Sequence, residues 1–429
     1  MVYVLNQSKQ PLMPTRDHRK VRLLLSQGKA KVVTRTPFTI MLLHSVREYK
    51  QKLTLGLDAG SKLMGMSVTS ENQEVYASET ALRTDIVDLL SARRAFRRAR
   101  RNRTTRYRAP RFNNRMRSKN KGWLAPSIEQ KISTHVKLVQ NVHALLPISR
   151  IIVEVAAFDI QKIRNDAITG CQYQEGEQLG FWNVREYVLF RDGHICQHCK
   201  GKSKDKVLNV HHIESRRTGG DAPNNLITLC ETCHSAYHQG FLQLKIKRGM
   251  AFRDAAFMGI MRWAFYNRLK DLYTAVSLTF GYLTKNARIR HGLEKAHAVD
   301  ARCISGNPTA QPAGEIFFQR AVRRHNRQLH KATILKGGYR KANQAPKYVF
   351  GYQLFDKVLF KGQEGFIFGR RSSGSFDVRQ LDGTKLSAGV SYKKLVLLEK
   401  RKAILTERRA TEGSAISSPY LKTGVSVAN

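Results

Sequence analysis

Acidic residues are scarce in this chain. Its 429 residues hold 32 Asp and Glu against 75 Lys and Arg, a formal net charge of +43. That excess goes well beyond what solubility needs and falls in runs, so the natural partner is a polyanion. Long apolar runs are lacking too. No stretch is long enough to span a bilayer and no signal-peptide pattern is present, so no membrane role is expected and nucleic acid is the better partner. Cysteine is sparse: of six, four stand in two spaced pairs and Cys171 and Cys303 stand alone. No disulfide framework is implied, and a reducing, cytosolic setting fits. With 41% hydrophobic residues over this length, the chain can build two or more cores, so several domains are expected.

The paired cysteines are Cys196/Cys199 and Cys230/Cys233. Each C-x₂-C knuckle offers two thiolates, and two knuckles complete a closed tetrahedral site with no open position for chemistry, so the Zn²⁺ they suit is structural. Between them, VLNVHHIESRRTGGDAPNNLITL reads as two short strands around a Gly219-Gly220 turn, with a helix from about Cys233. In such a ββα unit, His234 and His238 one turn later come toward His211 and His212. Neutral imidazoles bind a divalent metal, and a neighbouring histidine can deprotonate water near neutral pH; Asn225 suits an orienting role. A plain zinc ribbon with incidental histidines is the alternative. Adjacent strand residues point to opposite faces, so the doublet should sit where the strand bends or ends.

Elsewhere the pattern is mixed. Residues 1 to 50 show β-like runs (Val2 to Leu5, Lys31 to Val33, Phe38 to Leu43) around a basic helical stretch from Asp17 to Gln27, a small α/β module. After Lys52, Leu53, Leu55 and Leu57 share one face of a strand, with Thr54, Gly56 and Asp58 on the other, so Asp58 ends a core strand. From Arg93 to Lys121 run twelve arginines and two lysines without one acidic residue. Their charges point all round any helix drawn through them, so the segment should fold fully only against phosphates. A disordered basic tail is the alternative, with Pro110 and Asn113-Asn114 ending the helix early. A helical region from about Asn183 leads into the zinc unit. After Gly240 a second helical stretch carries Met258, Met261, Trp263, Phe265 and Leu269, expected in the core. From Tyr348, short apolar alternations with glycine turns suggest a small β-barrel or sandwich, and the last ten residues suggest disorder.

Three acids stand out by placement: Asp58 at a strand end, Glu154 inside the apolar strand IIVEV (Ile151 to Val155), and Asp300 three residues after His297 on one face of the helical segment Leu293 to Ile304. Converging carboxylates make a hard oxygen cage that suits Mg²⁺, or Mn²⁺ in its place. Two such ions about 4 Å apart stabilise the attacking and leaving oxygens of phosphodiester cleavage. His297 could help activate water or bind a metal. Scattered acids, with Asp58 a mere cap, are the bland alternative.

The order of motifs adds a family likeness. PLMP (Pro11 to Pro14), LGLDAG, the arginine run, IIVEV, the Cys/His unit and HAVDA follow one another as in the IscB proteins, transposon-associated relatives of the CRISPR type II effectors, which this chain resembles over nearly its whole length. The resemblance implies a multidomain α/β protein. Its RNase H-like RuvC core (51-90, 126-190 and 243-310) is split by a ββα-metal HNH domain (191-242). An N-terminal PLMP module (1-50), an arginine-rich bridge helix (91-125) and a C-terminal β module (311-429) for RNA binding and target-adjacent-motif recognition complete it. Carried over by position, Asp58, Glu154, His297 and Asp300 form the RuvC site, with Asp58, Glu154 and Asp300 holding Mg²⁺. His212 is the HNH general base, Asn225 its structural asparagine, and His211, His234 and His238 its metal ligands. Arg93, Arg94, Arg97, Arg98 and Arg101 contact guide RNA.

Implied with these is an RNA-guided DNA endonuclease, a monomer in a ribonucleoprotein with its guide, called ωRNA, acting on double-stranded DNA in the prokaryotic cytosol. HNH would cut the guide-paired strand and RuvC the displaced one. His234 departs from the family, many members of which carry Asn there; both residue types can bind a metal. A guide-independent HNH endonuclease of the homing or restriction type, and a non-cleaving RNA-binding protein, are the rival readings.

Overall fold

The apolar runs of the first fifty residues close into a small three-stranded sheet: β1 (Tyr3–Leu5) lies parallel to β3 (Thr39–Leu42), which pairs antiparallel with β2 (Ala30–Thr34). Helix α1 (His18–Ser26) starts at Asp17, whose carboxylate accepts from the Lys20 amide at 2.8 Å, and covers a core of Val2, Val4, Val21, Ile40 and Leu42. This computed structural model describes residues 1–101, 123–155, 183–215, 223–244, 253–324, 335–339 and 346–410. They fall in two compact units, one of Met1–Phe112, Ala125–Ala157 and Met261–Asn429, the other of Asn113–Leu124 and Phe158–Ile260. Cys171, the Gly219-Gly220 turn, residues 102–122 of the basic run and the last ten residues lie outside the described set.

Strands β4 (Thr54–Ala59), β5 (Leu63–Thr69) and β6 (Glu74–Ala81) form an antiparallel meander, followed by α2 (Ile86–Arg101), α3 (Pro126–His143) and β7 (Arg150–Val155). Because β7 runs parallel to β4, Leu57 faces Val153, and the next position along the two strands holds Asp58 and Glu154 side by side. Leu53, Leu55 and Leu57 are all fully buried. The other face is covered as well, so Gly56 and Asp58 of β4 and every residue of β6 are buried too.

In the second unit, α4 (Val184–Arg191), the hairpin β8 (Leu208–His212) with β9 (Leu226–Cys230), and α5 (Glu231–His238) make the ββα element. Helix α5 opens at Glu231 with Cys230 as its N-terminal cap, two residues before the expected start. Helix α4, expected with the second part of the split core, belongs here: its Tyr187 and Val188 pack against Leu226. Its apolar face needs a cover, and the hairpin supplies one.

Helix α6 (Arg253–Leu272) carries Met261, Phe265 and Leu269 fully buried; Met258 and Trp263, also expected in the core, are half-buried. Strand β10 (Val276–Phe280), α7 (Gly281–Arg290), α8 (His297–Ile304) and β11 (Glu315–Ala321) follow. The helix expected from Leu293 begins only at His297. Strands β12 (Lys357–Phe360), β13 (Gln363–Arg370), β14 (Ser375–Arg379), β15 (Lys385–Ser391) and β16 (Val396–Glu399) form an antiparallel sheet ordered β15-β14-β13-β12-β16, around Val358, Ile367, Phe376, Val378 and Val390. The last described strand, β17 (Ile404–Ala410), returns to the central sheet, whose order is β10-β7-β4-β5-β6-β11-β17. The C-terminal module is therefore narrower than 311-429. Ile316, Phe317 and Phe318 of β11 are buried, and β11 pairs with β6 and β17 inside the central sheet. Tyr3 ties the N-terminal module to this sheet, donating its hydroxyl to the Val75 carbonyl at 3.2 Å and packing against the stacked rings of Tyr76 and Phe317.

Candidate active site and metal centres

The first site is built on β4, β7 and α8. Asp58 and Glu154 are 6% and 8% exposed on neighbouring strands, a costly arrangement for two carboxylates unless cations meet them. Helix α8 crosses directly over β4 and β5, and glycine allows it: a Cβ on Gly56 would stand 2.0 Å from the Ala301 carbonyl oxygen, and one on Gly65 2.0 Å from that of His297. That close approach brings His297 Nδ1 to 2.5 Å from Asp58 Oδ2. The Asp58 carboxylate holds the His297 pKa above its ordinary value. Glu79 on β6, 6% exposed, accepts from the Ala298 amide at 3.0 Å and fixes the start of the helix. Asp300, one turn beyond His297, pairs with Arg288 at 3.0 Å, and burial followed by the Asp58 charge pushes its pKa up.

Arg262 on α6 fills the space between the strand carboxylates. Its Nε donates to the Ala59 carbonyl at 2.8 Å, one terminal nitrogen lies 3.0 Å from Glu154 Oε1 and the other 3.8 Å from Asp58 Oδ1. Burial raises the Glu154 pKa, Arg262 opposes the shift, and the Asp58 charge adds to it. The four acidic-site residues named from sequence thus come together. Among the described residues, the groups whose ligand atoms all lie within 4.8 Å of one another are nevertheless the four cysteines and His211, His234 and His238; the carboxylates are held by arginines instead. Arg262, Arg288, Glu79 and the two glycines escaped the sequence reading. The one signal available was an arginine inside the apolar run MGIMRWAFY.

In the second unit, Cys196, Cys199, Cys230 and Cys233 converge, with Cys199 Sγ 3.8 Å from Cys230 Sγ and Ser203 Oγ donating to Cys230 Sγ at 3.1 Å. Hydrogen bonds from Ser203 draw the Cys199 thiol down to about 5, while burial and the neighbouring thiols drive Cys233 up. Sulfurs this crowded cannot all ionise without a cation, so the cluster could bind zinc. Asp205 holds the knuckle region, accepting from the Val207 and Thr232 amides at 3.1 and 2.9 Å.

The histidine doublet ends β8, with His212 opposite Leu226 as the last pair of the hairpin, so it does sit at a strand end. His211 is buried, and its ring centroid lies 5.3 Å from those of both His234 and His238. His234 Nε2 is 3.3 Å from His238 Nε2. Burial, with His234, His238 and His212 around it, holds His211 down to about 4, and its Nε2 is a buried atom with no hydrogen-bond partner. A buried imidazole whose ligand atom lies within 4.8 Å of those of two others fits a divalent cation. Asn225, fully buried, accepts from the Glu214 amide at 2.9 Å and donates to the Glu214 carbonyl at 3.0 Å, clamping the chain just past the doublet.

The basic helix α2 exposes Arg93, Arg94, Arg97 and Arg98; Arg101 ends the helix and its side chain lies outside the description.

Two family models match: RRXRR protein over residues 2–176 and HNH endonuclease over residues 196–240. The two modules stand in the order the motifs gave. In both modules the chain is similar to the IscB proteins. The HNH endonuclease match coincides with the cysteine and histidine clusters, which supports nuclease activity in that unit. A curated relative, Anaredoxin of Nostoc sp. (strain PCC 7120 / SAG 25.82 / UTEX 2576), is 44% identical over 41 residues, 9% of this chain and 54% of that protein. Among solved structures, Streptococcus thermophilus Cas9 in complex with AGGA PAM aligns at 16% identity over 43% of this chain and 26% of that one, TM-score 0.29. The same protein with the AGAA PAM aligns at 15% identity over 49% and 30%, TM-score 0.30. The match thus spans about half of the curated relative and under a third of the Cas9 chains. Among the described residues no helix is long and apolar enough to cross a membrane.

Proposed function

We propose that this protein is an RNA-guided, metal-dependent DNA endonuclease with two cutting sites: the HNH site for the strand paired to the guide, and an RNase H-like RuvC site at Asp58, Glu154, His297 and Asp300 for the displaced strand. The observation that carries the reading is the meeting of Asp58 and Glu154 on adjacent parallel strands beneath His297 and Asp300, in a chain whose other unit holds an HNH endonuclease domain. Two chemically distinct centres suit two strands of opposite polarity.

In the acidic site, Asp58, Glu154 and Asp300 would hold Mg²⁺, which when bound supplies charge stabilisation for the attacking and leaving oxygens. His297, held by Asp58, is placed to accept a proton from water. In the HNH site, His211, His234 and His238 would hold the divalent ion, His212 takes the proton from water, and Asn225 fixes the backbone that presents it. Zinc on the four cysteines is structural. The exposed arginines of α2 offer phosphate contacts to a guide RNA, and the sheet of β12 to β16 would help read the DNA flanking the target. Sequence specificity then lies in base pairing rather than in side chains. A monomer in a ribonucleoprotein of the prokaryotic cytosol follows from this reading.

The test is to purify the protein from cells, sequence the RNA that comes with it, and offer a matching supercoiled plasmid with Mg²⁺ and strand-specific labels. Asp58→Ala should leave only the paired strand cut, and His212→Ala only the displaced strand. Single variants that still cut both strands would refute the assignment. A protein carrying no RNA but cutting a fixed sequence would be a guide-independent endonuclease, and one that binds RNA without cutting a silent binder.

A further inference from the structure

We infer that Arg262 is a resident counter-cation of the acidic site, occupying the place between Asp58 and Glu154 in the metal-free protein and leaving it when a divalent ion enters. The inference rests on the metal-binding reading of that site given above.

Three observations carry it. The guanidinium is spread over both carboxylates, 3.0 Å from Glu154 and 3.8 Å from Asp58, while its Nε is anchored on the Ala59 carbonyl at 2.8 Å. Those are the carboxylate oxygens a metal would need, and a planar fork with donors on both sides satisfies them as a cation would. Arg262 is also largely withdrawn from solvent, its side chain 17% exposed against 9% for Asp58 and 10% for Glu154, so the charges meet in a poorly screened setting. Finally, the acids do not close into a cluster of ligand atoms within 4.8 Å as the cysteines and histidines do. The acidic site has Arg262 between two of its members and Arg288 on the third.

The consequence is a thermodynamic competition. Without metal, Arg262 bridges two adjacent buried carboxylates and holds them in place. With metal, the ion must displace its contacts, so the arginine weakens metal affinity and sets the concentration at which the site fills. Once displaced, the guanidinium remains tethered on α6 beside the site, within the reach of a phosphate.

The experiment uses the full chain in a His234→Ala background, so that ions at the histidine cluster do not contribute. Modification of Arg262 by phenylglyoxal, followed by mass spectrometry, should be slow in the metal-free protein and accelerate as Mn²⁺ is added. Arg262→Gln should bind Mn²⁺ about ten-fold more tightly, read by the electron paramagnetic resonance of the free ion, because a nearby opposing charge is gone. Its metal-free melting temperature should fall and recover with Mn²⁺. Unchanged Arg262 reactivity at saturating Mn²⁺, or Mn²⁺ affinity in Arg262→Gln no tighter than in the parent, overturns the inference while leaving the metal site standing. The control is Asp58→Asn, which should lose Mn²⁺ binding; if it binds like the parent, the acidic-site reading itself falls and takes this inference with it.

Discussion

Two glycines let helix α8 lie close enough to the sheet to reach the acidic site. A methyl group on Gly65 would meet the carbonyl carbon of His297 at 2.4 Å and its oxygen at 2.0 Å, so α8 would have to lift away. Gly65→Ala should cost roughly 1–3 kcal/mol of stability, the usual range for overpacking against backbone. It should also slow cutting of the displaced strand while the paired strand is cut at the parent rate. Urea unfolding and strand-specific cleavage check both, and a variant as stable and as active on both strands as the parent would show that the helix has room to spare. The acids were legible because a carboxylate amid IIVEV or at the end of LTLGLD breaks a hydrophobic pattern and asks for a reason. The glycines were not, since closeness of a helix to a sheet leaves no local mark. Arg262 lies 204 positions from Asp58, and only the folded chain brings them together.

Elements were legible where a short-range rule governs them. Asp17 announced α1, four paired cysteines announced the ββα unit, and alternation announced β4. The rule fails for β11 and β17, which join the central sheet through partners far along the chain, Phe318 opposite both Glu79 and Glu407. The Cys₄ element makes a direct prediction. Cys196→Ser, or a chelator selective for Zn²⁺ used in excess Mg²⁺, should unfold the HNH unit, abolish cutting of the paired strand and leave the acidic site working; a thermal melt with the strand assay reads it, and unaltered paired-strand cutting would count against structural zinc.

Helix α3 makes another prediction. His135 is fully buried with its Nδ1 on the Lys131 carbonyl at 2.8 Å, and burial lowers its pKa from 6.5 to about 4. His143, stacked on Tyr273 at 4.2 Å, is also lowered to about 4 by burial. Between pH 6.5 and 4 the unfolded chain therefore binds more protons than the folded one. The stability these neutral rings permit is present above pH 6.5 and lost as pH falls toward 4, by roughly 3 kcal/mol for His135 at the limit. His135→Leu should flatten the fall in melting temperature between neutral pH and about pH 4.5. An unchanged pH profile would remove His135 from the account.

At the scale of the whole molecule the governing quantity is charge, +43 over 429 residues. Helix α2 concentrates it where it hurts folding. Arg93 and Arg97, and Arg94 and Arg98, are like charges one turn apart, each pair costing an isolated helix about 0.2–0.5 kcal/mol. All four are exposed, so nothing within the protein need be disturbed to reach a polyanion with them. Binding to phosphates relieves that repulsion and releases condensed counterions, so affinity should fall steeply with salt, by a log–log slope of about −0.7 for each phosphate met on single-stranded nucleic acid. Replacing these four arginines with alanine should flatten the slope for the co-purified RNA by about 3, the sum of four such contacts. It should at the same time raise the melting temperature of the RNA-free protein, since the self-repulsion goes. Both are measured on one preparation, by filter binding across salt concentrations and by a thermal melt without RNA. An unchanged slope beside a raised melting temperature would mean that the helix carries charge without using it on RNA, and the polyanion would have to be held by another face.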